Sequence, residues 1–289
     1  MNTRLFFTHA LAPLHAGTGQ GVGVIDLPIA REKATGLPYL PGSSLKGTLR
    51  TACEDEKKRT AVFGPETKDG DLHAGAVHFS DQRLLLLPIR SLAGTFAWVT
   101  SPYVLRRFAR ELQDVNLSMP ADLPPDPTTE NQCVVADGCT LIVDDSAVYL
   151  EDLDLTAQRE ASAQAWADWI GRQIFDDSAW QTFLTQRFCI VHDNVLTFLL
   201  TTATEITARI KLQEATKTVQ QGGLWYEEAL PTETILAGML LAAPNGKTEY
   251  DTDQIFEVIK ACTGKPMQLG GKATVGRGLC RVMPAKEAK

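Results

Sequence analysis

With 289 residues, 44% of them hydrophobic and 22% charged, the chain can bury a substantial core as one large domain or as one domain with an insertion, and no apolar run approaches membrane-spanning length. Its six cysteines (Cys53, Cys133, Cys139, Cys189, Cys262 and Cys280) contain no C-x-x-C pair, which argues against a zinc site or a disulfide framework and for reduced thiols in a cytoplasm. A net charge of −7 opposes uniform contact with a polyanion, but the acid is segregated. Residues 111–160 hold twelve acids and one base, a balance of −11 that leaves +4 for the remainder, and residues 260–289 carry +6.

In chain order, residues 4–14 have the apolar and aromatic character of a first strand. Residues 1–17 mimic a signal peptide for a few positions, but His9, Pro13 and His15 interrupt the apolar run. HAGTGQGVGVIDLPIAR (residues 15–31) follows, with Gly17, Gly19, Gly21 and Gly23 ahead of Asp26 and Pro28. This places a carboxylate on a loop, where residues serve function more often than packing, although a loop aspartate commonly just bonds its own backbone. PGSSLKGTLR (residues 41–50) combines a Pro-Gly turn with a helix that Ser43 or Ser44 can cap, and Lys46 and Arg50 lie one turn apart on one face. Backbone N–H groups and two cations pointing one way make an anion site suited to a phosphodiester; a capped surface helix with solvated charges is the plainer alternative. No glycine precedes Lys46 as a P-loop would require.

Residues 76–88 read as a strand pair or a bent strand, and Ser101-Pro102 opens a helix with Leu105, Phe108, Ala109 and Leu112 on its apolar face. The acidic, proline-rich residues 119–127 read as an exposed linker or an insertion boundary. Residues 157–187 read as helical, with Trp166, Trp169, Ile170, Ile174 and Phe175 as a core stripe. The threonine-rich residues 195–210 have strand composition. Residues 211–235 have polar arms around Gly222-Gly223, cannot build a core, and are expected to project as a hairpin with Tyr226, Glu227 and Glu228 at its base. Closing strands at 234–243 and 278–283 flank a helix at 252–262 and the connection LGGKATVGRGLCRV (residues 269–282). In that connection Gly271 and Gly276 have P-loop spacing, but Arg277 and Gly278 replace the required lysine and hydroxyl. His73 and His78 lack the partner cluster a metal needs.

The 15–31, 41–50 and 269–282 motifs, in this order and at these positions, resemble the RAMP superfamily of CRISPR effector proteins, and within it the backbone subunit of type III-B (Cmr) complexes. The first fifty residues carry the most specific part of the likeness, and residues 100–200 carry little. The resemblance implies a single α+β domain over 1–289 with a ferredoxin-like (RRM-type) core, an inserted helical and acidic subdomain at 101–190, and a thumb hairpin at 203–234 that pries guide and target apart. The aromatics with which RRM proteins stack bases are not evident, so contact is expected through RNA phosphates.

The resemblance further implies a subunit that holds guide RNA (crRNA) along a head-to-tail filament of its own copies, beside other Cmr subunits. It would cut the complementary target RNA at regular intervals as a metal-dependent endoribonuclease, leaving a 2′,3′-cyclic phosphate and a 5′-hydroxyl. Carried onto this sequence, Asp26 becomes the catalytic residue and the ligand of a divalent ion, Mg2+ or Mn2+. His15, Tyr226, Glu227 and Glu228 become its candidate partners in catalysis, while His15 equally suits a structural hydrogen bond and the other three a solvated hairpin stem. Guide contacts fall to Ser43, Ser44, Lys46, Arg50, Gly270, Gly271, Lys272, Gly276 and Arg277, and the acidic insertion to a protein partner. A non-catalytic backbone subunit, a type III-A backbone homologue and a monomeric guide-processing endoribonuclease remain open alternatives.

Overall fold

The first strand is apolar on both faces, and the fold explains why. In the computed structural model, which describes residues 2–21, 23–65, 74–115, 117–244 and 249–286, β1 (Asn2–Ala10) lies inside a sheet with Leu5, Phe6, Phe7, Thr8, His9 and Ala10 all buried. His73 falls outside the described residues. A long loop leads to β2 (Tyr39–Leu40), α1 (Gly42–Ala52), α2 (Glu56–Phe63), β3 (Val77–Phe79), β4 (Gln82–Arg90), β5 (Phe96–Thr100) and α3 (Pro102–Gln113). Then come β6 (Gln132–Val135), β7 (Ala147–Leu150), β8 (Leu153–Arg159), α4 (Ala161–Ile174), α5 (Ser178–Thr185), β9 (Phe188–Val191) and α6 (Asp193–Thr202). The chain closes with β10 (Glu205–Leu212), β11 (Val219–Ala229), β12 (Ile235–Ala242), α7 (Thr252–Cys262), β13 (Met267–Gln268) and β14 (Leu279–Pro284).

Among the described residues twelve strands form one mixed sheet in the order β13-β14-β1-β12-β4-β5-β9-β6-β8-β7, with β2 added to β4 and β3 to β12. β1 is antiparallel to both neighbours, with Phe6 opposite Gly238 and Thr8 opposite Val282. β4 joins the halves: Arg83, Leu84 and Leu86 pair with β12 across a register shift, while Leu87 to Arg90 pair with β5. Beyond it the pairs β5·β9 and β6·β8 are parallel. No helix among the described residues is long and apolar enough to cross a membrane.

The expected face of α3 is buried, and Phe108 packs edge-on against Trp166 and Trp169 of α4, at 6.3 and 5.9 Å between ring centres. Those two indole N–H groups donate to Asp122 O (2.9 Å) and Ser118 O (2.7 Å), so the largely exposed stretch at 119–127 is pinned onto α4. A buried indole needs an acceptor, and the linker backbone supplies it.

Three readings of the sequence need correction. Residues 157–187 contain two helices, α4 and α5, preceded by the end of β8. Residues 193–202 are helical, and only 205–212 form a strand. Val195, Leu196, Leu199 and Leu200 are buried at helical spacing, and the threonines that suggested a strand turn their hydroxyls back onto the helix: Thr197 donates to Asp193 O (3.0 Å) and Thr202 to Phe198 O (3.2 Å). Finally, the β10–β11 turn lies at 213–218, where Gln213 N–H donates to Thr218 O (2.8 Å) and Lys217 N–H to Gln213 O (2.9 Å). Gly222, at φ +72°, and Gly223 instead form a bulge within β11, because Ile210 faces Leu224 while Leu212 faces Val219.

Candidate active site and nucleic-acid interface

The loop at 17–29 folds back on itself through Thr18 N–H to Pro28 O (3.3 Å) and Gly21 N–H to Asp26 O (2.8 Å). It then lies along the free edge of β11. Leu27 N–H donates to Tyr226 O (3.1 Å) and Glu228 N–H to Leu27 O (3.0 Å), so the loop is a short third strand at the hairpin root. Asp26 is exposed there, and its Oδ2 accepts the Tyr226 N–H at 2.7 Å. Its Oδ1 has no hydrogen-bond partner among the described residues. One oxygen is therefore fixed and the other is free to accept a proton.

Glu228 faces inward, with 3% of its side chain exposed. Its Oε1 takes Arg31 Nη2 (2.5 Å) and the Thr204 hydroxyl (3.0 Å), and its Oε2 takes the Ile29 N–H (3.1 Å). Arg31 also donates to Gly36 O (3.1 Å) and Leu200 O (2.8 Å). The Glu228 carbonyl accepts the proton of His15 Nδ1 at 2.6 Å, which puts the neutral ring's hydrogen on Nδ1. His15 Nε2 sits beneath Gly17, where a Cβ would come within 2.5 Å of it. Gly17 thus leaves room for a buried imidazole.

Glu227 points the other way, and only 6% of its side chain is exposed. Burial works to raise its pKa, but Lys272 Nζ (2.8 Å), the Trp225 indole N–H (2.8 Å) and Arg209 Nε (3.3 Å) outweigh it and hold the carboxyl at about 2. Arg277 is also engaged, with Nη1 on Glu205 Oε2 (2.7 Å) and Nη2 on the Thr207 hydroxyl (2.9 Å). The loop that carries both cations is tied back to the first strand's exit, through Gly271 N–H to His15 O (2.9 Å) and Gly278 N–H to Pro13 O (2.8 Å). Gly270 has φ +68°, and a Cβ on it would lie 2.3 Å from His15 O, so the approach admits only glycine. Around Gly276, at φ +80°, the space is open.

At α1 the expected serine cap does not form. The helix starts at Gly42 directly after Pro41, leaving Ser43 and Ser44 in the first turn, and Asp81 Oδ1 accepts the Gly42 N–H at 2.9 Å. An internal carboxylate therefore occupies part of the anion site expected at this helix start. Arg50 donates to Gly64 O, while Lys46 is half-buried with no ion-pair partner among the described residues. The Thr48 hydroxyl donates to Gln268 O (3.2 Å), which brings α1 alongside the C-terminal loop.

Asp26, His15, Tyr226, Glu227 and Glu228 are thus gathered at one hairpin root, with Lys272 and Arg277 beside them. Sequence reasoning missed Arg31, Thr204, Glu205, Arg209, Trp225 and Asp81. Of these only Arg31 lies inside one of the three motifs, and nothing local pairs it with a carboxylate 197 residues away. His78 is exposed, and among the described residues no group of three His, Cys, Asp or Glu side chains could hold a metal ion. Asp26 offers one carboxylate, and those of Glu227 and Glu228 each already accept three internal hydrogen bonds. Among the described residues this site by itself does not fit a resident divalent metal.

A family model described as the RAMP superfamily matches residues 9–281, from β1 to β14. The chain belongs to the RAMP superfamily. The RAMP match crosses residues 100–200, which carried little of the sequence likeness, and includes both glycine loops. This RAMP chain is 35% identical over 297 residues to "CRISPR system Cmr endoribonuclease Cmr4" of Pyrococcus furiosus, covering 98% of this chain and 95% of that protein. It is 24% identical to "CRISPR system CMR subunit Cmr4" of Saccharolobus solfataricus, over 95% and 94% of the two chains. Among solved structures, oligomeric Cmr4 from Pyrococcus furiosus superposes with a TM-score of 0.76 at 27% identity, covering 100% of both chains. A chain of the type III-B Cmr-beta complex bound to cognate target RNA reaches 0.76 at 21% identity, over 98% and 97%, a likeness of fold.

Proposed function

We infer that this RAMP chain is the backbone subunit of a type III-B CRISPR effector, which holds guide RNA along a filament of its own copies and cuts the paired target RNA. The observation that carries the reading is Asp26. In a chain alike over its whole length to a Cmr endoribonuclease, it is an exposed carboxylate with one oxygen locked on Tyr226 N–H and the other free. Cleavage is then in-line attack: a ribose 2′-oxygen bonds to the adjacent phosphorus as the bond to the 5′-oxygen breaks. Asp26 Oδ1 takes the 2′-hydroxyl proton, and the leaving 5′-oxygen is protonated from solvent. The products are a 2′,3′-cyclic phosphate and a 5′-hydroxyl.

In this reading His15 and Glu228, buried behind the loop and joined by the His15 Nδ1–Glu228 O bond, support it from within. A divalent ion such as Mg2+ or Mn2+ would find one ligand here, Asp26, and would need the rest from RNA phosphate and water. Lys46, the Ser43 and Ser44 turn, Arg50 and the backbone around Gly270, Gly271 and Gly276 are the proposed guide contacts, which track phosphates and so accept any sequence. The order β14-β1-β12-β4, antiparallel throughout with α1 after β1 and α7 after β12, supports a ferredoxin-like core. In the same reading β10–β11 is the thumb, residues 101–190 are an insertion whose acidic surface meets another Cmr subunit, and copies stack head to tail. Asp26→Asn keeps the acceptor for Tyr226 N–H but loses the base. In a complex purified with its guide, target binding should persist while all regularly spaced cuts fall together by about two orders of magnitude or more. Regular cutting that survives would place the nuclease elsewhere in the assembly.

A further inference from the structure

Alternation along β10 and β11 gives the hairpin two unlike faces. Thr207 lies opposite Glu227 and Arg209 opposite Trp225, so with Glu205 they form a polar face, while Ile206, Ile210, Leu224 and Tyr226 lie exposed on the other. The glycine loop at 270–278 grips only the polar face. Arg277 reaches β10 through Glu205 and Thr207, and Lys272 reaches β11 through Glu227. Both cations are fixed from behind, because the loop is bonded to Pro13 O and His15 O, and that segment is bonded to the hairpin root through Leu14 and Leu230 in both directions (2.8 and 2.9 Å). The next residue along β11, Tyr226, holds Asp26 by its N–H. Any tilt of the hairpin therefore carries the carboxylate with it.

We propose that Lys272 and Arg277 clamp the hairpin through Glu227 and Glu205 and thereby set where Asp26 stands, so that these four are positioning residues for cleavage, in place of the guide contact first expected of the two cations. This rests on the endoribonuclease reading above. In-line attack tolerates little displacement, and about 1 Å of misplacement costs about a hundredfold in rate.

Charge reversal on the Arg277–Glu205 pair tests the assignment. Complexes purified with guide RNA would carry Arg277→Glu, Glu205→Arg or both, and would be assayed for single-turnover cutting of a saturating complementary target RNA. Guide affinity over a salt series and amide exchange of residues 17–29 and 219–229 would be measured on the same samples. Each single variant should slow cutting by about tenfold or more and expose the Leu27 and Tyr226 amides, with guide affinity within about twofold of wild type. The double variant should recover to within about threefold, and its amide protection should return. Arg277→Lys, which keeps the Glu205 pair and loses Thr207, should fall between; it also serves where a reversal fails to fold.

The clamp is overturned if Arg277→Glu weakens guide binding with a shallower salt slope, Glu205→Arg does not, and the double variant stays as weak as Arg277→Glu, since that pattern marks a phosphate contact. If the wild-type complex cuts no target, the endoribonuclease reading falls instead. The amide exchange then still decides whether the clamp exists.

Discussion

Glu228→Ala should be among the most damaging single changes outside the apolar core. It leaves the Ile29 N–H and the Thr204 hydroxyl without an acceptor, and Arg31 without its only carboxylate among the described residues. Breaking a buried ion pair by removing one partner costs about 3–5 kcal/mol. Arg31 keeps 25% of its side chain in water, which places the expectation at the lower end, about 3 kcal/mol. For a chain of this size that lowers Tm by on the order of 10 °C. Glu228→Gln is more discriminating. Arg31 and Thr204 both bond Oε1, whereas Ile29 bonds Oε2, so a glutamine can turn its oxygen to the first two and leave only the Ile29 N–H facing an amide. One unsatisfied buried donor costs about 1–3 kcal/mol, so Gln should fall between wild type and Ala. Urea unfolding at constant m would rank the three. An alanine effect below about 1 kcal/mol, or a glutamine as damaging as alanine, would refute the account of this cluster.

Glu227, held down to about 2 against an ordinary 4.5, contributes stability that is fully present above the ordinary value and is lost as pH falls from there towards 2. The stability gap between wild type and Glu227→Gln should therefore be widest near neutrality, narrow below about pH 4.5 and close only as pH falls through about 2, read by denaturation at stepped pH. Lys46→Ala should weaken guide binding equally for all sequences and reduce the salt slope by about one, and an unchanged slope removes it from the interface. Gly270→Ala should destabilise by at least about 1–2 kcal/mol, since it must adopt a left-handed backbone against His15 O. Wild-type stability in that variant would mean the C-terminal loop does not approach as closely as described.

The sheet core was legible where local pattern and tertiary demand agree. The helix at 252–262 was found at its limits because Asp251 and Gln254 form a reciprocal cap ahead of an amphipathic run. α6 was misread because threonine favours strands only where its hydroxyl cannot turn back on a carbonyl, and here it does. The hairpin turn was misplaced because Gly222-Gly223 is as good a bulge as a turn, and the choice depends on cross-strand register. At the site, the loop position of Asp26 was visible in its glycine-rich surroundings. The donor that orients it lies 200 residues away, and no spacing rule reaches across that distance. The same holds for Asp81, which takes the first amide of α1 from 39 residues further on and displaces the serine cap that the local sequence suggested.

The interior position of β1 also orders events during synthesis. Its two neighbours are β12 and β14, so once made, β1 must wait for residues 235–242 and then 279–284 before both its edges are closed. Strands β5 to β9 find their partners within residues 82–191 and can assemble long before that. While residues 11–234 are being made the nascent chain carries an apolar strand, Leu5-Phe6-Phe7, with both edges open. Such a strand invites pairing with another chain, so wrong contacts between nascent copies are the hazard this topology has to survive.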